Sequence, residues 1–200
     1  MQEQPSTSDR VVEAATSVVQ TRGYNGFSYA DIADMVGIRT SSLHHHFPAK
    51  GDLGRELAIR YRRAFGEALA DIESETDDRI ARLQRYAELY ARQLSEHGRM
   101  CLCGMLAAEY QTLPDPMRTS VVSFLDQNCE WLSALLEAGR SERSLHFDGT
   151  APAAARMIVG ALEGAMLVSR PYADTEHFEL IANRLIDDLT RPARPARARR

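Results

Sequence analysis

Cys101 and Cys103, one residue apart in HGRMCLCGMLAAEY, are the side chains best suited to covalent chemistry. They fall where a helix is expected to start, and the aligned backbone amides of a helix N-terminus lower a thiol's pKa and favour the reactive thiolate. His97 and Arg99 would reinforce that effect. Two small buried hydrophobes is the other reading, and the usual state of a cysteine outside a disulfide. A thiol hydrolase would add a base such as His97 and an oxyanion hole, and nothing in the sequence fixes that geometry. No phosphate-cradling glycine loop, HExxH or G-x-S-x-G occurs, so an enzyme is not expected. His97, Cys101, Cys103 and Cys129 could supply soft tetrahedral ligands, but His44, His45 and His46 cannot converge on one ion, because helix neighbours point about 100° apart. Neither a metal nor another cofactor is expected.

A second constellation is non-covalent. Between Phe27 and Lys50 the chain reads FSYADIADMVGIRTSSLHHHFPAK, two short helical patterns around a glycine turn. Ser28 can accept the amide proton of Asp31, and Asp31 can reach back, a reciprocal capping box that marks the start of the first helix. Ile32, Ala33 and Val36 recur at helical spacing, and Gly37 gives the backbone freedom that a tight helix-to-helix turn needs. Ile38 anchors the turn. The second helix, about Thr40 to Phe47, must end at Pro48, with Leu43 and Phe47 on its buried face. Thr40, Ser41, Ser42, His44, His45 and His46 are left outward, small polar or hydrogen-bonding groups suited to base edges and phosphates in a major groove.

These residues resemble the TetR family of one-component transcriptional regulators. VVEAATSVVQTRGYNGFS is similar to that family's first helix and Gly-aromatic turn, and GIRTSSLHHHFPAKGDL to its turn, recognition helix and start of the fourth helix; the resemblance covers about residues 9 to 55. By it, DNA contacts are expected from Ser28, Tyr29, Arg39, Thr40, Ser41, Ser42, His44, His45 and Lys50. His44 stands where the family usually has an aromatic, Arg39 where a small or polar residue often opens the recognition helix, and Lys50 where it has a phosphate-contacting lysine. Some members that sense electrophiles or oxidants carry a cysteine opening the sixth helix, and CLCGMLAAEYQTLPDPMR is similar, which makes Cys101, with Cys103 second, a candidate sensing thiol. Lys50 is the only lysine beside 23 arginines, a bias that suggests a GC-rich genome and makes its survival here consistent with a phosphate contact.

The net charge of -4 conceals an asymmetry. Basic and acidic residues number 8 and 7 in residues 1–65, 11 and 21 in 66–190, and 5 and 0 in 191–200. With a Debye length of about 8 Å, a distant acidic domain need not abolish phosphate binding by the head. The RPARPARARR end reads as a disordered basic tail. No run approaches the roughly 18 uninterrupted apolar residues of a membrane span, and the polar start is unlike a signal peptide, so a cytoplasmic location is expected. Three cysteines do not suggest a disulfide framework.

The remaining pattern is all-α, about nine helices in total. Asp52 to about Ser74 carries Leu53, Leu57, Tyr61, Phe65 and Leu69 at fours; a helix capped by Thr76 or Asp77 runs to near Gly98; others span about Met100–Gln111, Asp115 or Pro116 to Gly139, Thr150–Arg170 and Thr175–Thr190. The expected organisation is a helix-turn-helix head (1–51), an effector-binding and dimerisation domain (52–190) and the tail (191–200). Gly160, Ala161, Gly164 and Ala165, with the stripe Phe178, Ile181, Leu185 and Leu189, point to a homodimer through the last two helices, as the resemblance also implies. Tyr61, Phe65, Tyr86, Tyr90, Met105, Tyr110, Phe124, Trp131, Met157 and Met166 are the large inward candidates for a small-molecule pocket. Asn128 and Glu163 are polar residues on otherwise apolar faces, where burial is costly without a partner. The function expected is a repressor released from a palindromic DNA operator by a small-molecule effector, with no membrane partner.

Overall fold

Side-chain caps mark where the first two helices of this chain begin. The computed structural model describes residues 5–95 and 98–191; His97 and the tail beyond Arg191, with the readings placed on them, lie outside the described residues. Ser6 and Asp9 form a capping box at the head of α1 (Thr7–Arg22), and Ser28 and Asp31 repeat it at α2 (Tyr29–Val36). There follow α3 (Thr40–His46), α4 (Lys50–Glu75), α5 (Arg79–Ser95), α6 (Leu102–Ala108), α7 (Asp115–Glu142), α8 (Ala151–Ser169) and α9 (Thr175–Thr190), with 3₁₀ turns at Tyr110–Thr112 and Arg170–Tyr172. Among the described residues there is no strand.

Two compact units divide the chain, and none of the three boundaries between them falls at residue 51. One unit runs from α1 to Glu67 and resumes through α6 to Leu125; the other comprises Ala68–Ser95 and the chain from Asp126 onward. The reason lies in the first unit's core. Val11, Ala15 and Val19 of α1, Ile32 of α2, Leu43 of α3, Leu53 and Leu57 of α4, Leu102 and Leu106 of α6 and Met117 of α7 form one apolar cluster. The half of α4 just past residue 51 and the whole of α6 are therefore structural parts of the head. Gly54 makes one of these approaches possible, since a Cβ there would lie 2.5 Å from the Met117 sulfur and 2.8 Å from the Tyr24 ring.

The second unit packs α5, α8 and α9 against one another, with Leu83, Tyr86, Tyr90, Leu162, Phe178 and Leu189 buried. Arg82 is buried and donates to the carbonyls of Glu73 and Thr76 at 2.9 and 2.7 Å, which satisfies the end of α4. The cap of α5 is Asp78, not Thr76 or Asp77: its carboxylate accepts the amides of Ile80 and Ala81 at 2.8 and 3.2 Å. Arg79 adds a bidentate pair to Glu142 of α7.

α8 is the one described helix long and apolar enough to cross a membrane, by length and composition alone. Ala154, Ile158, Leu162, Ala165 and Met166 face the unit's core, while Met157, Leu167 and Val168 are exposed and Gly160 and Gly164 have open space where a Cβ would stand. Phe178 and Leu189 of the expected dimer stripe, and Ala165, turn out to be buried within the chain. The unpartnered apolar face is instead Met157, Gly160, Gly164, Leu167 and Val168, joined by exposed Tyr172 and Leu180.

Candidate nucleic-acid interface

The glycine turn is built as its sequence requires. Gly37 has φ 73° and ψ 40°, the left-handed region, and its amide reaches back to the carbonyls of Ala33 and Asp34. Ile38 follows with an amide bond to the Ala33 carbonyl at 3.0 Å and packs on the core. α3 then begins without a side-chain cap at Arg39, whose carbonyl accepts the amides of Ser42 and Leu43.

A seven-residue helix is too short to be stable alone, so tertiary anchors must hold it. Leu43 is fully buried and Phe47 nearly so, and burial of such side chains contributes about 1.5–3 kcal/mol each. The Tyr29 hydroxyl donates to the Phe47 carbonyl at 2.9 Å, and Arg10 of α1 donates to the Val36 carbonyl at 2.5 Å. With one face fixed, the other is free: Arg39, Thr40, Ser41, Ser42, His44, His45 and His46 are all exposed. They form a polar surface presented by a rigid scaffold.

Three expected contact residues have a more particular place. Tyr29 is buried, so it holds α3 rather than facing a duplex; burial first, then the Asp52 charge, pushes its phenol up to about 12. His44 lies with its ring tilted at 57° against the Tyr29 ring, centroids 4.7 Å apart, and bonds the Pro48 carbonyl through Nδ1 at 3.3 Å, where the resemblance places an aromatic. Ser28 is exposed at the start of α2, with its hydroxyl and amide both bonded to Asp31.

Lys50, the first residue of α4, is neither a solvated lysine nor one simply extended toward solvent. Its ammonium donates to the Phe27 carbonyl at 2.5 Å and lies 4.1 Å and 4.7 Å from the Phe27 and Tyr24 ring centroids. Burial pulls its pKa down, opposed by the charges of Glu109 and Asp31. An ammonium has three donors, so the residue can still meet a phosphate beside the start of α4.

Glu109 and Gln20 hold this region without a sequence signature of their own. Glu109 accepts the amides of Tyr24 and Asn25 at 2.6 and 3.3 Å, and Gln20 donates to the Met100 carbonyl at 3.0 Å. The only local signal was Gly23, at φ 84°, which marks a turn whose next amides need an acceptor.

The expected pocket residues separate into two groups. Tyr61, Phe65 and Phe124 form an aromatic trio in the first unit, with centroids 5.2–6.2 Å apart, and Met105 is half-buried in the same unit. In the second unit the buried Tyr86 hydroxyl donates to Asn128 Oδ1 at 2.8 Å and meets the Tyr90 hydroxyl at 3.1 Å. Trp131 stacks on Tyr86 at 5.5 Å, and its indole N–H is buried with no hydrogen-bond acceptor among the described residues. Glu163 is half-buried. Met157 drops out as an inward residue, being 53% exposed.

Cys101 and Cys103 have no exposed surface. The Cys101 sulfur accepts the Gly104 amide at 3.4 Å as the cap of α6, so it serves helix initiation and packing. Among the described residues no cluster of His, Cys, Asp and Glu is arranged to hold a metal ion.

With this geometry in place, comparison with known proteins is direct. Residues 11–57 match the family model described as bacterial regulatory proteins, tetR family, and residues 79–185 match that of the tetracyclin repressor-like C-terminal domain. The chain is 26% identical over 161 residues to the HTH-type transcriptional repressor DhaR of Mycobacterium sp. (strain GP1), covering 78% of this chain and 79% of that protein. A crystal structure of a TetR-family transcriptional regulator from Agrobacterium tumefaciens superimposes with a TM-score of 0.89 at 33% identity, over 92% of this chain and 98% of the other. A TetR transcriptional regulator from Legionella pneumophila gives 0.86 at 27% identity, over 94% and 100%.

Proposed function

This chain belongs to the TetR family of bacterial regulatory proteins, a DNA-binding transcriptional regulator and not an enzyme, and from that premise we propose that it is a cytoplasmic homodimeric repressor released from a palindromic operator by a small molecule. The observation that carries the reading is α3: seven residues, internally anchored through Leu43 and Phe47, with every other side chain exposed and polar. Thr40, Ser41, Ser42 and His45 are the side chains for base edges and phosphates, with Arg39 for the backbone. Ser28 and Lys50, at the starts of α2 and α4, are placed for phosphates.

Dimerisation through α8 and α9 is supported by the exposed face of Met157, Leu167, Val168 and Leu180 around Gly160 and Gly164, where a second copy can approach the backbone closely. Two copies would set two α3 helices about 34–36 Å apart, the repeat of the major groove along a palindrome. The effector reading draws support from the Tyr86–Asn128–Tyr90 network and the unmatched Trp131 N–H, a donor left for a ligand acceptor. A ligand that favours a packing incompatible with two adjacent grooves is bound more weakly by the duplex-bound protein, and by the same factor weakens duplex binding.

Gel retardation with the duplex flanking its own gene tests the proposal, set against a heterologous duplex at about 50 and 200 mM salt. Retardation specific for the flanking duplex and weakening with salt is the expected result. Equal affinity for both duplexes would remove the reading of an operator beside its own gene.

A further inference from the structure

The turn between α1 and α2 is held from both sides by groups of opposite charge. Gly23 ends α1 with its amide on the Val19 carbonyl, and the next two amides, of Tyr24 and Asn25, are both taken by the Glu109 carboxylate at 2.6 and 3.3 Å. On the other flank the Lys50 ammonium holds the Phe27 carbonyl at 2.5 Å. The fit is steric as well: a Cβ on Gly23 would stand 2.8 Å from Glu109 Oε1. Asn25 completes the seam by donating its side-chain amide to the Thr112 hydroxyl at 2.7 Å.

Glu109 is the residue immediately after α6, and the opposite end of that helix is tied to α1 as well. Gln20 Nε2 donates to the Met100 carbonyl at 3.0 Å, and the Met100 amide donates to the Gln20 carbonyl at 3.1 Å. α6 is thus stitched to the end of α1 at both of its own ends. Charge-assisted bonds to a carboxylate are about twice as strong as neutral ones and weaken steeply once distance or angle departs from the ideal. Phe27, buried at the end of the turn, and Ser28, the cap of α2, take their direction from it, and α3 is fixed to α2 through the Tyr29–Phe47 bond.

We infer that Glu109 is a positioning residue for DNA recognition: its carboxylate, borne at the end of α6, sets the attitude of the α2–α3 pair by gripping the two amides of the preceding turn. The inference rests on the reading of that pair as the duplex-binding element. It also runs against simple electrostatics. Removing a negative charge from a DNA-binding head should strengthen binding to any duplex, whereas loss of the grip should weaken binding to the operator alone.

Glu109→Ala and Glu109→Gln are compared with the wild-type chain by hydrogen exchange at the Tyr24 and Asn25 amides, by thermal melting, and by affinity for the flanking duplex and for a heterologous duplex of equal length. In Glu109→Ala the two amides exchange about tenfold faster or more, and affinity for the flanking duplex falls by about 10- to 150-fold, on the scale of one charged hydrogen bond. Affinity for the heterologous duplex holds or rises. Glu109→Gln, which keeps one acceptor oxygen, recovers most of the operator affinity and carries the test if the alanine variant does not fold, with about a threefold loss of the operator-to-heterologous ratio. An unchanged ratio in a folded variant overturns the inference, as does a parallel loss for both duplexes. If the wild-type chain itself does not distinguish the duplexes, it is the proposed operator reading that has failed, and the inference falls with it.

Discussion

Replacing Tyr29 by Phe removes one oxygen and separates two roles for this residue. Its hydroxyl donates to the carbonyl of Phe47, the residue that closes α3, at 2.9 Å, while its ring stays buried against His44. Phenylalanine keeps the ring, so little packing is lost. The net loss of a neutral hydrogen bond is about 0.5–1.5 kcal/mol, and a buried carbonyl left without its donor costs about 1–3 kcal/mol, so a destabilisation of about 1–2 kcal/mol is expected. Urea unfolding should show it as a lower midpoint at unchanged slope. α3 is loosened at its C-terminal end only, so affinity for the flanking duplex should fall by less than about tenfold, with heterologous affinity unmoved, since 1.4 kcal/mol is one decade. A tyrosine that touched phosphate would behave otherwise: stability would be unchanged and affinity would fall for every duplex alike, with the salt slope unmoved because the hydroxyl carries no charge. That second pattern would refute the internal role of Tyr29.

Three further outcomes follow from the same structure. The Asp9 carboxyl is held down to about 2 from 3.8, first by the Ser6 hydroxyl and then by Arg60, so the stability it lends is complete above about pH 4 and disappears as pH falls toward 2; Asp9→Asn should flatten acid unfolding in that window, and an identical acid limb would contradict it. Leu167→Asp and Met157→Asp alter side chains 63% and 53% exposed, so in a monomer they should shift stability by no more than about 0.5 kcal/mol; sedimentation should instead show dimers turning to monomers, and dimers that persist would place the interface elsewhere. Alkylation followed by mass spectrometry should label half-buried Cys129 first, slowly because burial raises its pKa, and leave Cys101 and Cys103 untouched until denaturant is added; stoichiometric labelling of Cys101 in the folded protein would restore it as a sensing thiol.

What could be read in the sequence was what its near neighbours determine. The Ser28–Asp31 box, the left-handed Gly37 and the stop at Pro48 act within four residues, and the anchors Leu43 and Phe47 follow from helical periodicity. Bonds across long stretches of chain left no local trace: Lys50 with Phe27, Arg10 with Val36, and Glu109 with Tyr24, 85 residues apart. Among Thr76, Asp77 and Asp78, all able to cap α5, the grip of Arg82 on the Thr76 carbonyl accompanies the choice of the third. The α9 stripe was legible as an apolar face, but periodicity does not say what covers it: Phe178 and Leu189 are buried within the unit, in which α9 packs on α5 and α8, while Ile181 and Leu185 stay half-buried. α6 ends at Ala108, short of the expected Gln111, as Glu109 turns toward Tyr24.

The chain has a single tryptophan, and that indole lies flat on Tyr86, part of the Tyr86–Asn128–Tyr90 network, with its own N–H unmatched. Its emission wavelength and intensity therefore report on one known place in the second unit and nowhere else. A compound that gives the indole an acceptor, or that parts the two rings, will change that light without a dye, a label or an added reporter. Screening for the proposed effector can thus begin with the unmodified protein in a cuvette.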